Sequence, residues 1–182
     1  MKKKIICIVL IVIIILTVII INNRTGYDEY SQKIKLAESE IELILKKHNI
    51  DFSEERDGTL SDLYEKTYSK NFEDGSYLYV TLDGEYTFTK GGNGYIYVQY
   101  ITTSGEIDLP LFVELSSLSS KVRLTEDECR NFIESDEKYY SKPPVDYIVY
   151  KSYNYDFFEK NMISYNEKKD GEKELIFTSE LF

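Results

Sequence analysis

Hydrophobic and polar positions change rhythm three times along this chain. Residues 5–21 are apolar, interrupted only by Thr17. From Tyr27 the apolar positions recur at steps of three and four: Tyr27, Tyr30, Ile34, Ala37, Ile41, Ile44 and His48. From residue 76 onward they alternate with polar ones, as in SYLYVTL (76–82) and NGYIYVQYI (93–101). An unbroken apolar run predicts a membrane-spanning helix, a three-four rhythm predicts one stripe of an amphipathic helix, and alternation predicts half-buried strands.

The 17 residues of the apolar run span about 26 Å at 1.5 Å per residue, the short end for a hydrocarbon core of about 30 Å. Lys2, Lys3 and Lys4 precede the run, and IIINNRTG after it offers no small-residue cleavage site. Cys7 lies at the start of the run, whereas a lipid-modified cysteine would stand at its end. The reading is an uncleaved, single-pass anchor in the cell membrane. Residues 1–4 form a cytoplasmic tail, 5–21 the span, 22–26 (NNRTG) a linker, and 27–182 one domain outside the cytoplasm, with the lysines kept inside.

In 27–48, acids cluster early and Lys46 and Lys47 come late, which suits the helix dipole. DFSEERDG (51–58) reads as a loop and TLSDLYEKTYSKN (59–71) as a short helix. Turn signals then become regular: Asp83-Gly84, GGNG at 91–94 and Ser104-Gly105. Between them SYLYVTL, EYTFTK, YIYVQYITT and EIDLPLFVEL predict a four-stranded antiparallel meander.

Those turns fix a register, and register fixes faces. Asp83-Gly84 would pair Tyr79 with Phe88, the loop at 91–94 would pair Phe88 with Tyr97, and Ser104-Gly105 would pair Tyr97 with Phe112. One face then holds Leu78, Val80, Leu82, Ile96, Val98, Tyr100, Leu109, Leu111 and Val113, a core set beneath the 27–48 helix. The other holds Tyr77, Tyr79, Tyr86, Phe88, Tyr95, Tyr97, Gln99, Asp108, Phe112 and Glu114. Tyrosine offers large contact area, little entropy loss and a polar tip, so this second set is the candidate binding surface.

Thr125-x-x-Glu128 is a capping-box pattern and predicts a helix over about 126–136, while Pro143 and Pro144 oppose helix. Residues 145–182 read as further strands, with KKDGEK turning between the last two. The fold class is therefore α+β: an N-terminal transmembrane helix, an amphipathic helix packed on an antiparallel meander sheet, a second short helix and C-terminal strands. Those last strands either cover the tyrosine face as a second core or leave it open. Asp108 and Glu114 favour the open arrangement, because buried carboxylates need partners.

Charge narrows the partners. The chain carries 22 basic and 32 acidic residues; beyond the anchor and its flanks the balance is 18 against 32. Such a surface repels nucleic acid and anionic lipid headgroups and suits a basic protein partner, cations or solubility alone. Catalytic signatures are sparse. His48 is the sole histidine and sits on an apolar stripe, with no His/Cys ligand set for zinc and no G-x-S-x-G or P-loop. DGTLSD and FEDGS miss the spacing of a calcium loop. The expectation is a non-enzyme with no cofactor and no metal. Cys129 stands alone outside the anchor, so no disulfide staples the domain.

In architecture the chain resembles the TipC-type immunity proteins of Gram-positive bacteria. The resemblance rests on MKKKIICIVLIVIIIL as an N-terminal anchor, the amphipathic YDEYSQKIKLAESEIELIL directly after it, and the acidic, tyrosine-rich strands. It implies a protein at the outer membrane face that blocks a secreted interbacterial toxin acting on lipid-linked wall precursors. The alternative expectation is a binder of cell-envelope glycan or peptidoglycan, with the same tyrosines stacking on sugar rings.

Overall fold

The computed structural model describes residues 2–57, 63–87, 91–103, 105–119, 124–134, 147–156, 161–168 and 171–182. Its first element joins two that the sequence pattern separates. Helix α1 (Lys2–Lys47) runs through the apolar segment and the amphipathic stripe as 46 continuous residues, roughly 69 Å at 1.5 Å per residue. The expected linker at 22–26 is helical. Gly26 does not break it, because the Tyr86 ring fills the space beside it: a Cβ there would stand 2.9 Å from the Tyr86 hydroxyl. Thr25 also returns its hydroxyl to the Ile21 carbonyl at 3.0 Å.

Residues 10–21 of α1 are exposed along their whole length, and no described element packs on them. The helix is long and apolar enough to cross a membrane, a test that a signal sequence also passes. Beyond it, Tyr30, Ile34, Ala37, Ile41 and Ile44 are buried, as their spacing requires. Asn49, with φ 55°, ends the helix in the left-handed region. The amides of Asn49 and Ile50 bond to the carbonyls of Lys46 and Leu45, the paired closure of a Schellman motif.

Among the described residues seven antiparallel strands follow: β1 (Ser53–Asp57), β2 (Leu63–Asn71), β3 (Tyr77–Thr87), β4 (Gly91–Thr102), β5 (Tyr147–Asp156), β6 (Asn161–Lys168) and β7 (Lys173–Glu180). Their order across one sheet is β1-β2-β3-β4-β7-β6-β5. Helices α2 (Leu109–Ser116) and α3 (Glu126–Glu134) lie between β4 and β5 in the chain. Helices α1 and α2 pack on one sheet face, and α3 packs on α2. The core between them includes Tyr68, Leu78, Val80, Leu82, Ile96, Val98, Phe112, Leu175 and Phe177, each essentially inaccessible.

The α+β class stands, but five local expectations change. The loop expected at 51–58 contains β1, and the helix expected at 59–71 is replaced by β2 over its described residues. There Lys66 and Tyr68 face the core while Glu65, Thr67 and Ser69 face away, an alternation with a charged residue on its inner side. Asp83-Gly84 is not a turn but the middle of β3, and GGNG opens β4. EIDLPLFVEL forms α2 instead of a fourth strand: Asp108 accepts from the Leu111 amide at 3.1 Å and Pro110 sits in the first turn, where its missing N–H costs nothing.

The capping box at α3 is formed. Thr125 Oγ1 accepts from the Glu128 amide at 3.2 Å, and the Thr125 amide donates back to Glu128 Oε2 at 2.8 Å. Thr125→Ala is expected to lower stability by about 1 kcal/mol. In a urea titration of the full chain in detergent, that appears as an earlier midpoint with an unchanged slope.

Candidate partner-binding face

Strand β3 is straight through Asp83-Gly84, so its side chains keep strict alternation for eleven residues. Tyr77, Tyr79, Thr81, Asp83, Glu85 and Thr87 point away from the helices. Register carries the assignment outward: Tyr79 opposes Gln99, Thr81 opposes Tyr97, and Asp83 opposes Tyr95. On one side Ser69, Thr67 and Glu65 of β2 join this face. On the other, Tyr97 opposes Thr178, Gln99 opposes Ile176, Ile101 opposes Glu174 and Tyr95 opposes Glu180.

No described element packs on this face. The C-terminal strands extend the sheet edgewise through the β4–β7 ladder and do not fold back as a second layer. Tyr77, Tyr79, Tyr95, Tyr97 and Gln99 are half-buried. The Tyr77 and Tyr79 rings are 6.3 Å apart, and Tyr79 meets Tyr97 edge to face at 6.1 Å and 78°. Edge-to-face pairing matches positive ring edges to negative faces and locks the row in place. Thr81 lies beneath it, buried.

The electrostatics are one-sided. Among the described positions of β1 to β4 and β7, this face presents Glu55, Glu65, Asp83, Glu85, Glu174 and Glu180 and no lysine or arginine. Burial, with Glu65 directly opposite, raises the Asp83 carboxyl above its ordinary range. Burial also pushes the Tyr97 phenol up to about 12, with Glu174 and Tyr79 adding to it. Tyr95 is raised by burial and then by Glu180 and Glu85. These phenols therefore remain donors at neutral pH, set among carboxylate acceptors. Gln99 already uses one such acceptor, donating through Nε2 to Glu174.

Of the ten residues expected on this surface, five are here: Tyr77, Tyr79, Tyr95, Tyr97 and Gln99. Phe88 lies outside the described residues. The other four are elsewhere. Tyr86 is buried on the helix-covered face, because a straight strand and a two-residue turn differ by one step in parity. Its hydroxyl lies 2.9 Å from the Asn23 carbonyl, to which it donates. Phe112 is a core side chain of α2, Asp108 is that helix's N-cap, and Glu114 binds Lys47 at 2.7 Å and His48 at 2.9 Å. Those two partners, Lys47 first, hold the Glu114 carboxyl below its ordinary range. Glu55, Glu65, Asp83, Glu85, Glu174 and Glu180 were missed. The same alternation would have found Asp83 once Gly84 was read as strand.

The covered face holds a second charged group. Lys66, buried on β2, places its ammonium 2.6 Å from Glu38, 3.0 Å from Glu42 and 2.8 Å from Glu54, over the ring of Tyr68 at 4.9 Å. It ties α1 to β1 and β2. Among the described residues no cluster of three or more His, Cys, Asp or Glu side chains is placed to hold a metal ion. Comparison with protein-family models, with curated proteins and with solved structures finds no match to this chain.

Proposed function

We propose that this is a membrane-anchored binding protein whose domain, outside the cytoplasm, captures a basic protein partner on the open sheet face. The reading extends to an immunity role: the partner is a secreted toxin, and the acidic, phenol-lined sheet occludes its active cleft without catalysis. One observation carries this. A sheet face of four half-buried tyrosines carries six carboxylates and, among the described side chains of β1 to β4 and β7, no lysine or arginine, and no described element covers it. An unpartnered aromatic surface of this size marks an interaction site, and its charge selects a cationic one. The Glu65–Asp83 juxtaposition costs free energy until a cation stands beside it.

Tyr79→Ala with Tyr97→Ala removes the centre of the row. Hot-spot aromatics are each worth about 2 kcal/mol or more, so the pair is expected to weaken partner binding by roughly a thousandfold. The measurement is affinity of the full chain in detergent for a secreted toxin, sought first among the products of neighbouring genes, with circular dichroism to show that the fold persists. Unchanged affinity would reject the face as the binding site. Phenol fluorescence quenched by wall fragments alone would instead assign the surface to glycan.

A further inference from the structure

Beyond the apolar run, α1 uses one of its two sides. Tyr30, Ile34, Ala37, Ile41 and Ile44 pack into the core. On the opposite side of the helix Leu36 and Leu43 lie bare, 60% and 68% exposed. Among the described residues, no other large hydrophobic side chain outside the apolar run is left exposed. The two leucines are one heptad apart, the repeat that keeps a seam facing a partner helix. With both at position a, Gln32 and Ser39 fall at d. The same seam continues down the unbroken helix through Asn22 at a, Val18 at d and Ile15 at a. Every one of these positions is exposed. Glu29, also at a, is held at 3.1 Å by Lys33 of its own chain.

Register selects the occupant. In a parallel pair of such helices a faces a, so Leu36 and Leu43 each meet their own counterpart. An antiparallel pair would set a against d and turn each leucine toward Gln32 or Ser39. Asn22 also meets itself in the parallel pair, and one asparagine at an a position fixes register. At the edge of the span its amide can bond across the two helices. The flanking charges agree. In a parallel pair a g residue faces the e residue of the following heptad on the other helix. Lys35 at g then faces Glu40 at e of the second copy, and symmetry makes that contact twice. Neither side chain has an ion pair inside the chain among the described residues. Asp28 and Lys33 repeat the match one heptad earlier. Glu42 and Lys47 match in sign as well, but Lys66 and Glu114 already hold them.

We propose that the outward stripe of α1 is a seam for a second copy of this chain: two α1 helices pair in parallel and in register about Leu36 and Leu43, through Asn22 and on into the span. Polar residues at d make such a seam weak in water. A bilayer holds both copies in one plane and one orientation, and the raised effective concentration makes up the difference. The open sheet face lies on the far side of the sheet from α1. In the pair the two open faces therefore look away from each other, and both stay accessible. The pairing requires α1 to be retained as an anchor and is independent of what the open face binds.

The test uses the full chain with Cys7→Ser in phosphatidylcholine vesicles, under a mild oxidant that joins thiols. Cys129 is buried and stays out of reach. Leu36→Cys and Leu43→Cys are each expected to cross-link into a dimer several-fold more than Asn71→Cys, an exposed position at the end of β2. In the Leu43→Cys chain, Lys35→Glu is expected to cut cross-linking several-fold, because it opposes Glu40 of the second copy with like charge. Adding Glu40→Lys is expected to restore it, a rescue that chance collision would not give. All of these side chains are exposed, so the fold is expected to survive each change. Equal cross-linking at the three positions, or a charge reversal without effect, overturns the seam. Partner capture in detergent reports on the open face alone, so failure of one reading leaves the other standing.

Discussion

Lys66→Met is expected to cost about 3 kcal/mol, a large share of the stability of a domain this size. Methionine replaces the alkyl stem and its packing but not the ammonium. Glu38 and Glu42, one turn apart on the same face of α1 and both largely shielded, then lose the ammonium they share, leaving Glu42 with Lys46 at 3.4 Å. Removing one partner of such a cluster is worse than removing all of it, because the remaining charges stay desolvated. Adding Glu38→Gln and Glu42→Gln to Lys66→Met is therefore expected to recover part of the loss. Urea titration of the full chain in detergent measures both.

The same cluster sets a pH window. The Glu42 pKa is lowered, chiefly by its hydrogen bond from Lys66, so its contribution is present above the unfolded value near 4.3 and is lost as pH falls through the folded one. Three carboxylates outweigh burial and raise the Lys66 pKa, so its contribution is present below about 10.4 and is lost as pH climbs through the higher folded value. The wild-type advantage over Lys66→Met is thus expected to be flat from about pH 5 to 10 and to shrink in acid, where the orphaned carboxylates take up protons. An advantage that persisted unchanged at pH 3 would mean that the loss is packing.

Gly92→Ala is expected to be nearly as damaging, at about 3 kcal/mol. The added methyl would lie 2.3 Å from Tyr30 Cδ2, 2.6 Å from Cγ and 2.7 Å from Cβ. A ring tip can swing aside, but the root of a side chain moves only with its helix. The substitution therefore pushes α1 away from β4 and loosens Ile34 and Tyr86 with it. In a Tyr30→Ala background the penalty should fall sharply, because the two nearest carbons are gone. Equal penalties in both backgrounds would show that the glycine serves the strand and not the helix contact.

That glycine also explains where the sequence misled. Asp83-Gly84 and GGNG carry hairpin chemistry, yet Gly84, Gly92 and Gly94 are seats for Tyr30, Ile34 and Phe182. A turn and a close approach both require a missing side chain, and only the partner tells them apart. The α1 stripe and the alternation in 77–82 and 95–100 were legible because one buried face imposes its own period. Five of the ten expected face residues survive for that reason. EIDLPLFVEL was not legible as a helix: eight residues with apolar side chains at nearly every position fit either period, and Pro110 suits a helix start as well as an edge strand.

The place of β7 in the sheet has a consequence for biosynthesis. β7, made well after β4, sits between β4 and β6 and supplies Leu175 and Phe177, with Leu181 following, to the interior. Its pairing with β4 closes across more than seventy residues, a slow step by contact-order reasoning. Until β7 has emerged from the ribosome, β4 offers a naked margin to any extended polypeptide nearby. A chain interrupted before residue 173 would display that margin permanently, so proteolytic quality control should discriminate strongly against such interrupted copies.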